Sequence, residues 1–285
     1  VTDARTLLRD AEARLAAGGV ASPQHDAAAL LEFVTGVQRT VLLTVEVGPA
    51  QAADFERLID RRAAREPLQH LTGEAHFRYV ELAVGPGVFV PRPETELLAG
   101  WAIESLVECR EQRGVARPVV VDLCTGSGAI AKSIAHEVPE AIVYAIELDE
   151  GAFAWAERNL ADTGVQLQRG DLATAFPDLD GTVDVVVCNP PYIPLEAWES
   201  VALEARDHDP HLALFSGQDG LDAMRALERT ASRLLAPGGV VGAEHADVQG
   251  ESAPAVFAAS GNWIDVRDHS DFNERPRFLT ARLAR

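Results

Sequence analysis

Four consecutive residues, Asn189-Pro190-Pro191-Tyr192, are of types that can hold and present a planar polar group. Asn189 carries a side-chain oxygen acceptor, and Tyr192 a flat aromatic face. The two prolines fix φ and remove two backbone donors, so the carbonyls around them stay open to a ligand's hydrogens. Two acceptors and a stacking face suit an NH2 group on a planar frame, such as an amide or the exocyclic amine of a base. The plain alternative is a proline-stiffened turn, because Asn-Pro and Pro-Pro punctuate loops of every kind.

The residues just before the tetrapeptide place it. Val183-Asp184-Val185-Val186-Val187-Cys188 reads as a buried parallel strand. Open α/β sheets bind their ligands beyond the carboxyl ends of such strands. A second element is built the same way. Val119-Val120-Val121-Asp122-Leu123-Cys124 reads as a strand, Thr125-Gly126-Ser127-Gly128-Ala129 as a tight turn, and Ile130 to Val138 as a helix. The glycines permit the turn and let a ligand come close to the backbone. The next strand, Ala141 to Ile146, ends on Glu147, 21 residues beyond Gly126. That is close to the ~20 residues expected between a glycine turn and an acid that accepts ribose hydroxyl protons.

The same residues fit a dinucleotide site, since Gly126-Ser127-Gly128-Ala129-Ile130-Ala131 satisfies the G-x-G-x-x-G/A pattern. A glycine turn that only joins strand to helix is the bland alternative. The Asn-Pro-Pro-Tyr loop separates these readings. It has no evident task in hydride transfer, but it can hold an amine facing a sulfonium methyl.

Bulk properties narrow the field. A chain of 285 residues with 47% hydrophobic residues can build one large or two smaller globular domains. The net charge of −19 argues against life on nucleic acid, where a basic face supplies most of the affinity. It suits a basic protein partner or a small substrate. The three cysteines, Cys109, Cys124 and Cys188, form neither a disulfide framework nor a zinc pattern. Cys124 and Cys188 read as small buried hydrophobes at strand ends. With no signal-like N-terminus and no apolar run of ~18 residues, a soluble cytoplasmic protein without membrane contact is expected. Lys132 is the only lysine, which speaks of base composition rather than mechanism.

Helices come first along the chain. Thr2 or Asp3 can cap a helix that carries Leu7, Leu8, Ala11 and Leu15 on one face and ends at Gly18-Gly19. Ser22-Pro23 opens a second, closed by Gly36, and a third runs from about Pro49 to Arg65. No chemistry stands before residue 70. Tyr79 to Ala83 and Val88 to Val90 read as a hairpin around Gly85-Pro86-Gly87. Pro91-Arg92-Pro93-Glu94-Thr95-Glu96 then opens a helix, with Thr95 as its expected cap. From Val119 strands and helices alternate: Val165 to Gln168, a helix over Leu221 to Leu235, a turn at Pro237-Gly238-Gly239 and a strand over Val240 to Ala243. Trp263 to Val266 and Arg277 to Ala281 complete the set as a terminal antiparallel pair. The whole is an α/β, doubly wound, Rossmann-like sheet behind a small helical domain and a hairpin linker. Expected boundaries are 1–75, 76–95 and 96–285. Asp207, His208, Asp209 and His211 lack the spacing of metal ligands and read as a polar loop, so no metal is expected.

At this point the chain resembles a known family. Asp122-Leu123-Cys124-Thr125-Gly126-Ser127-Gly128, Glu147 and Gly170-Asp171 are similar to the cofactor half of class I S-adenosylmethionine methyltransferases. Asn189-Pro190-Pro191-Tyr192 narrows the resemblance to amino methyltransferases. Phe89-Val90-Pro91-Arg92-Pro93-Glu94-Thr95-Glu96, behind a helical domain, narrows it to the glutamine N5-methyltransferases of peptide chain release factors. Asp219-Gly220-Leu221, Glu244-His245 and Asn273-Glu274-Arg275-Pro276-Arg277 extend the likeness over essentially the whole chain.

The resemblance implies S-adenosylmethionine held by Asp122, Cys124, Thr125, Gly126, Ser127, Gly128, Glu147, Asp171, Leu172 and Asn189. It implies a glutamine amide held by Asn189, Pro190, Pro191 and Tyr192, with Asn189, Pro190 and Tyr192 acting in the chemistry. Phe89, Arg92, Glu94 and Thr95 are expected beside cofactor or substrate. The implied partner is a release factor, methylated at the glutamine of its Gly-Gly-Gln motif by a monomer that does not touch nucleic acid directly. The rivals are a nucleic-acid amino methyltransferase, an NAD-dependent oxidoreductase and a non-catalytic binding module. Two residues depart from the family. Cys124 stands where glycine is common, tolerable if its φ is negative, and Leu172 stands where many members carry an aromatic residue.

Overall fold

A computed structural model describes residues 2–200 and 203–284. They fall into two compact units. The first takes the chain up to Glu74 together with a later helix, Leu203–His208. It opens with a two-residue strand, β1 (Thr2–Asp3), paired antiparallel with β2 (Glu46–Val47). Helices Ala4–Ala17, Pro23–Thr35 and Pro49–Ala63 pack around Leu15, Leu30, Leu31, Phe55 and Ile59. Pro23 and Pro49 sit at first helical turns, where a missing N–H costs nothing, and Gly36 closes its helix in the left-handed region. Arg62 is buried here and donates to Asp26 Oδ2 at 2.8 Å and to Glu204 Oε1 at 2.9 Å.

The second unit starts with a two-stranded sheet of β3 (Glu74–Phe77) and β4 (Val80–Ala83). The two-residue turn between them holds Arg78 at φ +50°. The expected hairpin is therefore displaced: its turn lies at Arg78-Tyr79, and Val88 to Val90 form no strand. Pro86, Pro91 and Pro93 have no N–H to give a ladder. Side chains hold that stretch instead, with Val84, Val88 and Val90 buried and the Pro86 carbonyl accepting from Trp155 Nε1.

The remaining strands are β5 (Val119–Leu123), β6 (Ile142–Glu147), β7 (Gln166–Arg169), β8 (Val183–Cys188), β9 (Leu235–Glu244), β10 (Trp263–Ser270) and β11 (Pro276–Leu283). They form one seven-stranded sheet in the order β10-β11-β9-β8-β5-β6-β7. The pairs from β9 to β7 are parallel, and β11 runs antiparallel to both its neighbours. Val183–Cys188 is buried on both faces, as a run apolar at every position but Asp184 requires. The helices Thr95–Arg113, Ala129–Glu137 and Glu150–Leu160 cover one face of the sheet, and Asp222–Leu234 with Ser252–Ser260 cover the other.

Three local expectations are corrected. The turn expected at Pro237–Gly239 lies inside β9, where a register shift between Val183 and Val185 absorbs the extra residues. The expected polar loop around Pro210 is flanked by short helices, Leu203–His208 and His211–Leu214. Thr95 is not a cap: Glu94 holds the N-cap position of Thr95–Arg113, and the Thr95 side chain points into buried polar contacts. Among the described residues, no helix is long and apolar enough to cross a membrane.

Candidate active site

The strand order reverses at β5. The chain runs outward through β6 and β7, then returns to lay β8 on the other side of β5. The crevice beyond the carboxyl ends of β5 and β8 is the topological switch point, where such sheets bind ligands. A cavity opens there. Its walls include Phe89, Thr95, Cys124 to Ser127, Glu147, Asp171, Leu172, Asn189, Pro191 and Tyr192. Segments separated by up to a hundred residues of sequence thus meet in one place.

The glycine turn is held open by its conformation. Gly126 has φ +58°, and a Cβ there would meet no atom within 4 Å, so its free side faces open space. At Gly128, φ +86°, an added Cβ would stand 3.0 Å from Leu160 Cγ, so here glycine also permits close helix packing. Cys124 has φ +61°. The condition set for it, a negative φ, is not met. The strand must turn sharply at this position, and a left-handed cysteine costs roughly 1–2 kcal/mol relative to glycine.

Two carboxylates underlie the turn. Glu147 Oε2 accepts from the Gly126 N–H at 2.8 Å and Oε1 from the Asp149 N–H at 2.9 Å. Burial raises its carboxyl above the ordinary range, and those backbone donors hold it back. Asp122 is fully buried beneath the turn. Its Oδ2 accepts from Thr125 Oγ1 at 2.5 Å and from the Ala131 N–H at 3.2 Å. Its Oδ1 has no hydrogen-bond partner among the described residues. Burial pushes its pKa up to about 7.

The Asn-Pro-Pro-Tyr loop follows β8 directly. Asn189 Nδ2 donates to Thr95 Oγ1 at 3.3 Å, and Oδ1, with no protein donor among the described residues, is available as an acceptor. Thr95 Oγ1 in turn donates to Glu244 Oε2 at 2.7 Å. The Tyr192 hydroxyl donates to Glu244 Oε1 at 3.4 Å. Burial, with the Glu244 carboxyl beside it, raises the Tyr192 phenol well above its ordinary range, so it stays protonated.

Other expected site residues stand back from the cavity. Pro190 is buried behind the wall that Asn189, Pro191 and Tyr192 form. Arg92 stacks over Phe89 at 4.9 Å and pairs with the buried Asp209 at 2.9 Å. Glu94 holds the N-cap position without a side-chain capping hydrogen bond and does not line the cavity. Glu244, which closes the polar chain behind Asn189, escaped the sequence reading as a site residue. Its signal was an acid at the carboxyl end of an otherwise apolar strand, Val240-Val241-Gly242-Ala243.

The sheet order, the glycine turn and the acid closing the next strand together define a Rossmann-like methyltransferase. Residues 120–208 match the family model described as a methyltransferase domain. Residues 6–73 match the one described as the PrmC N-terminal domain. Two solved structures share the fold. They are a methyltransferase from Pyrococcus furiosus (TM-score 0.50, 18% identity, 82% of this chain and 100% of that one) and the hMettl16 catalytic domain (TM-score 0.52, 15% identity, 83% of each).

The chain belongs to the release factor glutamine methyltransferase family. It is 58% identical to the release factor glutamine methyltransferase of Streptomyces coelicolor over 95% of both chains. With that of Mycolicibacterium smegmatis it shares 44% over the full length of both. A 4-amino-L-phenylalanine/4-methylamino-L-phenylalanine methyltransferase of Streptomyces pristinaespiralis is 47% identical over 77% of this chain and 75% of that one.

Proposed function

We propose that this chain methylates the side-chain amide nitrogen of a glutamine in peptide chain release factors, the glutamine of the Gly-Gly-Gln motif, with S-adenosylmethionine as methyl donor. The observation that carries the reading is Asn189, whose amide gives its NH2 to Thr95 and so keeps an oxygen for an incoming N–H. The cavity suits the donor: open space at Gly126, a carboxylate at Glu147 for ribose hydroxyls and apolar cover from Leu172. Asp122, whose buried Oδ1 has no hydrogen-bond partner among the described residues, adds negative potential toward a cationic ligand in its ionised form.

When bound, S-adenosylmethionine supplies a methyl group already activated by its sulfonium. The protein's share is orientation. An amide nitrogen is a weak nucleophile because its lone pair is delocalised into the carbonyl. Asn189 Oδ1 accepts one N–H of the substrate amide, aims the nitrogen and offsets the positive charge that builds on it. Tyr192, locked in its protonated form, packs on the amide plane. The nitrogen becomes acidic as it is methylated, and water takes the proton without a strong base.

On this reading the helical unit docks the protein substrate, since it presents helices around an apolar core and no chemistry of its own. The charge of −19 then steers a basic release factor, so the association rate falls as salt rises. The protein works as a cytoplasmic monomer, where release factors act. The deciding assay offers radiolabelled S-adenosylmethionine with release factor, RNA, DNA and 4-amino-L-phenylalanine in parallel. Label on the release factor glutamine is expected. Label only on nucleic acid or on the free arylamine would refute the substrate assignment.

A further inference from the structure

The polar chain behind the cavity carries information about orientation. The Thr95 hydroxyl has a single hydrogen, and that hydrogen goes to Glu244 Oε2 at 2.7 Å. Towards Asn189, 3.3 Å away, Thr95 can therefore only accept. Asn189 must turn its NH2 to Thr95, which points its oxygen the other way. A carboxylate cannot donate, so while Glu244 is ionised no other arrangement keeps both contacts hydrogen-bonded. If Glu244 carried a proton, it could donate to Thr95, whose own hydrogen would be freed for the Asn189 oxygen. The amide could then sit either way round.

We propose that Glu244 is a positioning residue that fixes, through Thr95, which edge of the Asn189 amide is presented to the substrate. The proposal rests on the amide-methylation reading only for its consequence in turnover; the orientation itself does not depend on it.

Surrounding charges make the device sensitive to pH. Glu244 is fully buried at the end of β9, and burial raises it to about 7. Arg277 on the neighbouring β11 favours the ionised form, and Glu94 at the start of the Thr95–Arg113 helix opposes it. Tyr192 faces it from the loop after β8 as a weak donor at 3.4 Å. Arg277 is shared with Asp271, at 3.0 Å. The adjacent His245 points away, to Asp268 at 2.9 Å. Arg92 reaches the group only through Tyr192, whose phenol it influences. Glu244 thus changes protonation near neutral pH, and the ionised form is the one that orients Asn189.

The test uses the full chain and four variants: Glu244→Gln, Thr95→Val, Thr95→Ser and the Glu244→Gln/Thr95→Val double. Glu244→Gln keeps shape but can offer Thr95 either a donor or an acceptor. At pH 8, with saturating release factor and S-adenosylmethionine, its kcat should fall roughly tenfold, the worth of one hydrogen bond to a charged group. Its KM for S-adenosylmethionine should stay within about twofold of wild type, since orientation acts on turnover rather than on uniform binding. The wild-type kcat should decline below about pH 7, and that limb should vanish in the variant. Thr95→Val should match it, Thr95→Ser should restore wild-type behaviour, and the double should be no worse than either single because the two act as one unit.

A second readout needs no turnover: the side-chain amide resonance of Asn189, assigned by its loss in Asn189→Ala. It should titrate near pH 7 in wild type and stay fixed in Glu244→Gln. An Asn189 resonance indifferent to pH, or single-variant losses that multiply in the double, would overturn the proposal. A wild type that shows the titration but labels no release factor would instead refute the substrate reading alone.

Discussion

The Gly126 N–H donates to Glu147 Oε2 at 2.8 Å, joining the glycine turn after β5 to the acid that ends β6. Glu147 is thus both a wall of the cavity and a brace for the turn. Removing the whole side chain confounds these roles, whereas Glu147→Gln keeps one acceptor oxygen for Gly126. Both variants should lose affinity for S-adenosylhomocysteine, Glu147→Ala by about 1.5–3 kcal/mol, the range for hydrogen bonds to a charged group. Glu147→Gln should lose less. Calorimetry with unchanged affinity in both would remove Glu147 from the ribose role.

Asn189→Ala should lower kcat by roughly 10²–10³, as loss of an oxyanion-hole donor does in acyl transfer. Binding of S-adenosylhomocysteine should change much less, because the part of the cavity proposed for the nucleoside is built from the ends of β5 and β6. Single-turnover rates at saturating substrate decide it, and normal turnover in the variant would contradict the acceptor role.

Cys124 at φ +61° is a strained position occupied by a residue with a Cβ. Cys124→Gly should raise stability by about 0.5–1 kcal/mol, the relief of left-handed strain less the flexibility glycine adds to the unfolded chain. A rise in thermal midpoint is the expected reading, and a fall would show that the packing of the cysteine side chain outweighs the strain.

In the helical unit, Arg62→Ala leaves Asp26 buried without its guanidinium. Breaking one side of a buried ion pair costs about 3–5 kcal/mol. Denaturant unfolding should show an early loss of the helical unit, and a change below about 1 kcal/mol would mean that water replaces the arginine.

Asp122 and Glu244 both sit near 7, above their ordinary 3.8 and 4.5. Between those ordinary values and 7 the folded state holds protons that the unfolded chain releases. Their contribution is therefore complete at low pH and is lost as pH rises towards 7, at up to about 1.4 kcal/mol per pH unit for each group. Asp219 and Asp271 are held low by hydrogen bonds and arginine partners, and their contribution is lost in the opposite direction, on acidification. Comparison with Glu244→Gln isolates the first effect. The variant should gain on wild type between pH 5 and pH 8, and parallel curves would place the Glu244 carboxyl at its ordinary value.

Sequence reading reached the parts of this molecule that announce themselves locally. Val183–Cys188 has no polar alternation to confuse it beyond Asp184, and Gly126 and Gly128 mark a turn that only glycine tolerates easily. The displaced hairpin shows where such reading fails. Gly85-Pro86-Gly87 looked like a turn between strands, but Arg78 took the left-handed turn position, which its own side chain rewards by pairing with Glu137 at 2.7 Å. Thr95 before a helix reads as a cap, and nothing nearby in sequence reveals that Glu244 would claim its hydroxyl. Partners 149 residues apart leave no local pattern.

That separation also orders the making of the site. The turn and acid proposed for the cofactor lie within one β5-to-β6 segment, Val119 to Glu147. The group that orients Asn189 arrives only with Glu244, at the end of β9. Synthesis runs from N- to C-terminus, so a growing chain acquires a place for the nucleoside long before it can aim an amide. On the proposed roles, a chain half-emerged from its ribosome would carry the cofactor turn and acid while still lacking the contact that orients Asn189.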